Sequence, residues 1–388
     1  MKYITFTIPC YNSENYMRRC VDSLLVGGED VEILIIDDGS SDRTGAIADE
    51  YEMLYPNIVK AVHKPNGGHG SGVNRGLELA HGLYYKVVDS DDWFDRDAYL
   101  KMLDKIKSFE IASEDAQIRE AICENRIREE NLSGSCVEIQ QKEQEKFPDL
   151  IICNYVYDHL DEGIQKPMNY RNVFPTEKMC NWNTIGHFHP SQYLIMHALM
   201  FQTKVLRQSG VKLPEHTFYV DNLFSYQPLP YAKNLYYMDI DLYHYYLGRE
   251  DQSVNEKVLM KRIDQQISVT ELVAKSVDLR EVKKMYPKLA VYMMRNISIM
   301  LSISSIHLLL IKTEEAFQKR KRMWEQVKDY DRILYYRLRC STLSGLTYLP
   351  GRLGGKITVG SYDRPGKVYS RQQGNARTIS GSYGIGGV

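Results

Sequence analysis

Along the first hundred residues, runs that are apolar at nearly every position alternate with segments apolar at every third or fourth position. "YITFTIP" and "VEILIIDD" are of the first kind and predict buried strands. "SENYMRRCVDSLL" and "SDRTGAIADEYEML", the latter with Ser41 or Asp42 as cap, are of the second kind and predict amphipathic helices. The order continues with a short strand "VKAVHK", a Gly-rich loop "PNGGHGSG", a helix "VNRGLELAHG" and a strand "YYKVVDS". Strands apolar throughout and separated by helices predict an α/β fold: a mostly parallel, Rossmann-like sheet with helices on both faces.

The pattern then breaks. Residues 110–146 are polar and charge-rich and read as a surface insertion, after which "PDLIICNYVYDH" resumes the strand pattern. An apolar helix is expected around "SQYLIMHALMFQTKVLRQSG", residues 191–210, and a Tyr-rich strand at "LYYMDIDLYHYYLG". These segments give a first domain over residues 1–250, a helical C-terminal region over 251–345 and a basic Gly/Ser/Arg-rich tail over 346–388. Within the helical region "ISIMLSISSIHLLLI", 297–311, carries no formal charge. A bilayer span needs about 20 apolar residues, so this segment is read as a buried core helix.

Composition changes the picture little, but the distribution of charge changes it more. With 388 residues, 43% hydrophobic and 26% charged, the chain is an ordinary globular one. Its formal net charge of −1 hides a basic end: residues 312–388 hold 15 Lys and Arg against 6 Asp and Glu. The remaining body is therefore acidic, which argues against nucleic-acid binding. The run "QKRKRMW" at 318–324 suits peripheral contact with an anionic membrane, or is a solvated helix face. Seven cysteines without a C-x-x-C pair suit neither a disulfide framework nor a zinc site and point to a reducing cytoplasm. The start "MKYITFTIPCYN" is read as lacking a secretory signal.

In an open α/β sheet, ligands bind beyond the carboxyl ends of the strands. Three loops are expected on that edge: "PCYN", "DDGSSD" and "DSDDW". The last crowds Asp89, Asp91 and Asp92, whose mutual repulsion raises their pKa values unless a cation compensates. A divalent ion, Mn2+ or Mg2+, shared with phosphate oxygens is one explanation. A helix cap at Asp91 or Asp92 is the other. "NGGHGSG" lacks the Lys-Ser/Thr end of a P-loop and is weak evidence for phosphate binding. His187 and His189 lack further ligands nearby and are read as packing or pocket residues.

In order and spacing, "TIPCYNSENYMRRCVDSLL", "VEILIIDDGSSDRTGAIADEY" and "NGGHGSGVNRGLELAHGLYYKVVDSDDWFD" resemble the successive blocks of the family-2 glycosyltransferases with the GT-A fold, of the kind that builds bacterial polysaccharides. The resemblance implies that Asp38 binds a nucleobase and that Pro9, Tyr11 and Asn12 wall its pocket. Asp89 and Asp91 become a D-x-D pair, with Ser90 between them on the donor and Asp92 extending the metal shell. Many relatives carry Arg before the Asn of the third block, where this chain has Val73. Beside Asn74 in the donor site, Arg75 or His69 then supplies the positive charge. Asp221, in "HTFYVDNLFSY", is implied as general base, and Arg249 and Ser253, in "YYLGREDQSVNEK", as contacts to diphosphate or acceptor.

The implied activity is inverting, metal-dependent transfer of a sugar from a nucleotide sugar, UDP-linked, to a saccharide or lipid-linked acceptor. The expected setting is cell-surface polysaccharide synthesis in the cytoplasm, peripheral on the inner face of the plasma membrane. Two alternatives stay open. A sugar nucleotidyltransferase would need a Gly- and Arg/Lys-rich loop after the first strand, which "PCYNSENY" lacks. A catalytically silent nucleotide-sugar-binding module would not need the acids at 38, 89, 91, 92 and 221.

Overall fold

The computed structural model describes residues 1–110, 147–159, 163–189, 192–248 and 256–348. The insertion expected at 110–146, apart from Glu110, together with Arg249, Ser253 and nearly all of the 346–388 tail, lies outside the described residues.

The alternation seen in the first hundred residues is present: β1 (Ile4–Cys10), α1 (Met17–Leu25), β2 (Val31–Asp37), α2 (Thr44–Leu54), β3 (Val59–His63), α3 (His69–Leu79) and β4 (Tyr84–Val87). A short strand β5 (Trp93–Phe94) leads into helix α4 at 96–110. That helix is capped by Asp95, whose Oδ1 accepts from the Ala98 N–H at 2.9 Å. Neither Asp91 nor Asp92 is its cap, so the capping explanation of their crowding falls away.

Strands β6 (Leu150–His159), β7 (Ile164–Met168), β8 (Met179–Cys180) and β9 (Leu199–Gln202) follow. Then come α5 (Thr203–Ser209), α6 (Asp221–Tyr226) and β10 (Leu235–Tyr246). The sheet runs β3-β2-β1-β4-β9-β6-β10-β5, with β7 on β6 and β8 on β10. β3, β2, β1 and β4 are mutually parallel, as are β6 and β10. β9 is antiparallel to both β4 and β6.

This corrects the helix expected over 191–210. Its first half is a 3-10 turn at Met196–Ala198 followed by a strand, and only Thr203–Ser209 is helical. A short apolar run satisfies strand and buried-helix patterns equally. Here the gap between β4 and β6 decides. Because β9 runs against its neighbours, its amino end lies at the carboxyl edge of β4, β6 and β10.

α3 begins inside the Gly-rich stretch, so those glycines serve packing rather than a phosphate cradle. A Cβ on Gly72 would lie 3.0 Å from Pro9 Cβ, and one on Gly76 would lie 2.2 Å from Thr7 Oγ1. One bare face of α3 thus rests directly on β1 and brings its first residue, His69, to the carboxyl edge.

Residues 256–346 form α7 (Glu256–Lys261), α8 (Ile263–Ser276), α9 (Leu279–Met285), α10 (Pro287–Ile311), α11 (Glu314–Tyr330), α12 (Arg332–Ser341) and α13 (Leu343–Leu346). α10 is longer than the 297–311 segment expected. At 25 residues it is long and apolar enough by composition to cross a bilayer, yet most of its apolar stretch is buried in the protein. Its Ser302 and Ser304 hydroxyls return to the carbonyls of Ser298 and Met300, which lets them sit in the core. The helices share one continuous core with the sheet. Phe188 stacks on Tyr292 with centroids 4.3 Å apart, and Arg295 donates to the carbonyls of His189 and Gln192.

The basic run at 319–322 is largely engaged within the protein. Lys319 pairs with Asp264 and Glu315, Lys321 pairs with Glu325, and Arg320 lies over the Tyr348 ring. Trp324, which the sequence places beside a membrane surface, is fully buried and stacks on Tyr348 at 5.0 Å.

Gly76→Ala should destabilise the protein by about 1–3 kcal/mol, since the added methyl overlaps the buried Thr7 side chain. Urea denaturation measures this. An unchanged midpoint would show that the close α3–β1 approach is not what requires glycine.

Candidate active site

The end of β4 is a dense knot of hydrogen bonds. Asp92 is fully buried; its Oδ2 accepts from the Tyr243 hydroxyl at 2.6 Å and its Oδ1 from the Tyr246 N–H at 2.8 Å. Tyr243 also accepts from the Asp89 N–H at 3.1 Å, tying both acids to β10. Burial, together with the charges of Asp91 and Asp89, pushes the Asp92 carboxyl well above its ordinary range. Asp89 is held low instead, because its Oδ1 meets His69 Nε2 at 2.9 Å and this outweighs the effect of burial. The same contact raises His69 against its own desolvation. Of the two sources of positive charge expected from sequence, His69 is therefore at the site.

Ser90 Oγ bonds Ser13 Oγ at 2.8 Å, and the Asp91 carbonyl accepts from Arg19, whose guanidinium lies 3.7 Å over the Trp93 ring. The loop 89–93 is thereby clamped from α1 and β10 together.

Two residues that sequence reasoning missed complete the knot. His197, in the turn before β9, is buried between the rings of Tyr243 and Tyr245, each centroid 4.5 Å away. One ring nitrogen of His197 and one oxygen each from Asp89 and Asp92 lie within 4.8 Å of one another. His197 Nδ1 is buried without a hydrogen-bond partner, and burial lowers the imidazole to about 4, so the ring is neutral at neutral pH. Two acids beside a neutral, under-bonded imidazole fit a divalent ion. The second missed residue is Lys86. Its buried Nζ donates to the carbonyls of Met196, His197 and Leu199 and lies 5.1 Å from the Tyr243 ring. Burial draws its ammonium down to about 7, against the opposing pull of Asp89 and Asp92. A lysine inside the apolar strand "YYKVV" was the available signal.

Asp221 is the first residue of α6 and shares a cavity of about 220 Å³ with Asp89, His69 and His197. Desolvation raises its carboxyl; His69 works downward and Asp89 upward. Tyr219, two residues earlier, has φ +67°, a left-handed conformation that turns the chain into the cavity.

The other expected donor residues are placed differently. Asp38 is buried, and its oxygens accept from Lys64, from the Gly67 N–H at 3.0 Å and from the Gly68 N–H at 2.7 Å. It therefore shapes the Gly-rich loop. Asn12, at φ +51°, bridges to Ser40 and Ser41, while Tyr11 is exposed beside it and Pro9 packs under Gly72. Asn74, half-buried, does not line the cavity. Its amide bonds both the N–H and the carbonyl of Leu213, pinning the loop that leads to Asp221. Arg75 pairs with Glu78 on the surface. His187 and His189 lie outside the cavity.

Lys86→Met should destabilise the protein by about 3 kcal/mol, because three carbonyls lose a buried donor. Chemical denaturation measures it. A change within error would mean that the 196–199 turn is held without the ammonium.

Comparison with known proteins adds four findings. Residues 5–161 match the model described as Glycosyl transferase family 2. A putative glycosyltransferase, EpsH, of Bacillus subtilis is 26% identical over 259 residues, covering 62% of this chain and 60% of that protein. An uncharacterized glycosyltransferase of Mycoplasma pneumoniae, the MG025 homolog, is 42% identical over 107 residues, 26% of this chain and 36% of that protein. The matched stretches thus span less than two thirds of these relatives. Among solved structures, residues 1–349 of Staphylococcus aureus TarS, in complex with UDP-GlcNAc, superimpose with a TM-score of 0.58 at 16% identity. That match covers 96% of this chain and 92% of that one, and at such identity it is a likeness of fold.

Proposed function

Residues 5–161 belong to glycosyl transferase family 2, and on that premise we propose that the chain is an inverting, metal-dependent transferase. It moves a sugar from a UDP-sugar to a saccharide or lipid-linked acceptor hydroxyl in polysaccharide synthesis. The observation that carries this reading is that Asp89, at the end of β4, and Asp221, at the start of α6, face one cavity. One acid serves the leaving diphosphate and the other the incoming hydroxyl.

Asp89, Asp92 and His197 would hold the ion, Mn2+ or Mg2+, which when bound neutralises charge on the diphosphate. Asp221 takes the proton of the acceptor hydroxyl. That oxygen forms a bond to the anomeric carbon on the face opposite the nucleotide, while the bond from the same carbon to the diphosphate oxygen breaks with its electron pair. A single displacement of this kind inverts the anomeric centre. His69, held on Asp89, places an imidazole ring beside the leaving diphosphate. The loop shaped by Asp38 and the bridge from Asn12 to Ser40 and Ser41 form the rim on which the base rests.

Asp221→Asn should lower kcat about 10²–10⁴-fold while leaving UDP affinity unchanged. The base must be ionised and its pKa is raised in the free protein, so kcat/KM of the parent enzyme should fall on the acid side at a pH above the ordinary Asp value of about 3.9. Steady-state kinetics across pH, with calorimetry for UDP, decide. An Asn variant with parental kcat excludes Asp221 as the base.

A nitrogen ligand favours Mn2+ over Mg2+, because imidazole suits transition metals better than hard cations. Mn2+ electron paramagnetic resonance titration should show weaker binding in His197→Ala. Equal Mn2+ affinity in the two proteins would remove His197 from the ligand set.

A further inference from the structure

The cavity that holds Asp221 has a second wall that belongs to the helical segment. Gln266 on α8 and Asn296 on α10 line it, and each is more than nine-tenths buried. Among the described residues, neither side-chain amide has a hydrogen-bond partner, although the neighbouring Arg295 and Thr270 are both bonded. Their amide atoms are reachable from the cavity, so each offers two donors and an acceptor to whatever occupies it. Tyr193, Tyr245 and Met300 line the same space, so apolar and aromatic surface alternates with unbonded amides. Few polar groups among apolar and aromatic walls are what fixes the orientation of a small polyhydroxylated ligand.

From this we propose that Gln266 and Asn296 form an acceptor-saccharide subsite and read hydroxyls on the sugar ring that receives the transferred residue. The assignment to acceptor rather than donor rests on the transferase reading and on topology. The donor's diphosphate belongs at the end of β4, with Asp89. Asp221 must touch the nucleophilic hydroxyl, and its helix α6 packs against α8, which carries Gln266. Groups presented from behind Asp221 meet the molecule that brings that hydroxyl. Because Asp221 and the two amides share one cavity, of about 220 Å³, recognition there concerns the acceptor residue that carries the reacting hydroxyl.

The test uses the full chain with Mn2+ and UDP present and a panel of methyl glycosides as probes, followed by saturation-transfer NMR. At least one glycoside should bind the parent protein. Gln266→Leu and Asn296→Leu should each weaken it about tenfold, as loss of a hydrogen bond to a hydroxyl that is then left unpaired predicts. UDP affinity by calorimetry should not change. Because the amides are unpaired within the protein, their apolar replacements should melt at the parental temperature or above. A purely structural role for the amides would lower it. Unchanged glycoside binding in both variants overturns the subsite, as does a parent protein that binds UDP but no glycoside. Failure of UDP to bind with Mn2+ would instead sink the transferase reading and the subsite with it.

Discussion

Negative charge concentrated at the end of β4 is the constraint around which the rest of this structure is arranged. Asp92 lies in the core, away from water, and Asp89 stands beside it on the cavity wall, so the two carboxylates repel each other at close range. Compensation comes from four directions: His69 from α3, Tyr243 and the Tyr246 N–H from β10, and Lys86 from β4 itself. Each of these requires a particular arrangement of backbone. α3 must lie against β1 for His69 to reach Asp89, and only a helix bare of side chains at Gly72 and Gly76 comes that close.

β9 has a similar role on the other side. As the reversed strand between β4 and β6, it starts where its neighbours end, and the turn before it delivers His197 to the acids. Lys86 holds this turn by three carbonyls and brings a buried cation under the carboxylates with the same side chain. One residue thus joins the shape of the turn to the electrostatics of the site. The Gly-rich loop is tied in through Asp38 on one side and through His216, whose N–H bonds the Gly67 carbonyl, on the other. Asn74 fastens the same loop region at Leu213. The path from the carboxyl edge of the sheet to Asp221 is therefore a continuous hydrogen-bonded scaffold.

The helical segment is part of this scaffold rather than an appendage. Its longest helix lies in the common core, and polar residues along it bond their own backbone, as Ser302 and Ser304 do, bond neighbouring segments, as Ser298 does to Thr342 and Ser305 to Trp324, or open into the cavity, as Asn296 does. That distribution explains a sequence apolar enough for a membrane yet interrupted by serines. Two of the serines are satisfied through the preceding turn and two by side chains of neighbouring segments, both of which a core helix permits.

The order of strands and helices through the first hundred residues was legible in the sequence, because burial on both faces of a parallel strand and on one stripe of a helix leaves local periodicities. The three polar loops at strand ends were legible for the same reason, and so were Asp89 and Asp221, which the fold brings to one cavity. Periodicity could not say whether Leu199–Gln202 was strand or helix, since so short an apolar run suits both. The vacancy between β4 and β6 decided. Nor could it place His197 beside Asp89, turn Asp38 toward the Gly-rich loop, or set Asn74 on Leu213 and Arg75 on Glu78. Those outcomes depend on which elements become neighbours and in which direction they run. They follow from burying the whole core at once, and no local pattern in the chain encodes them.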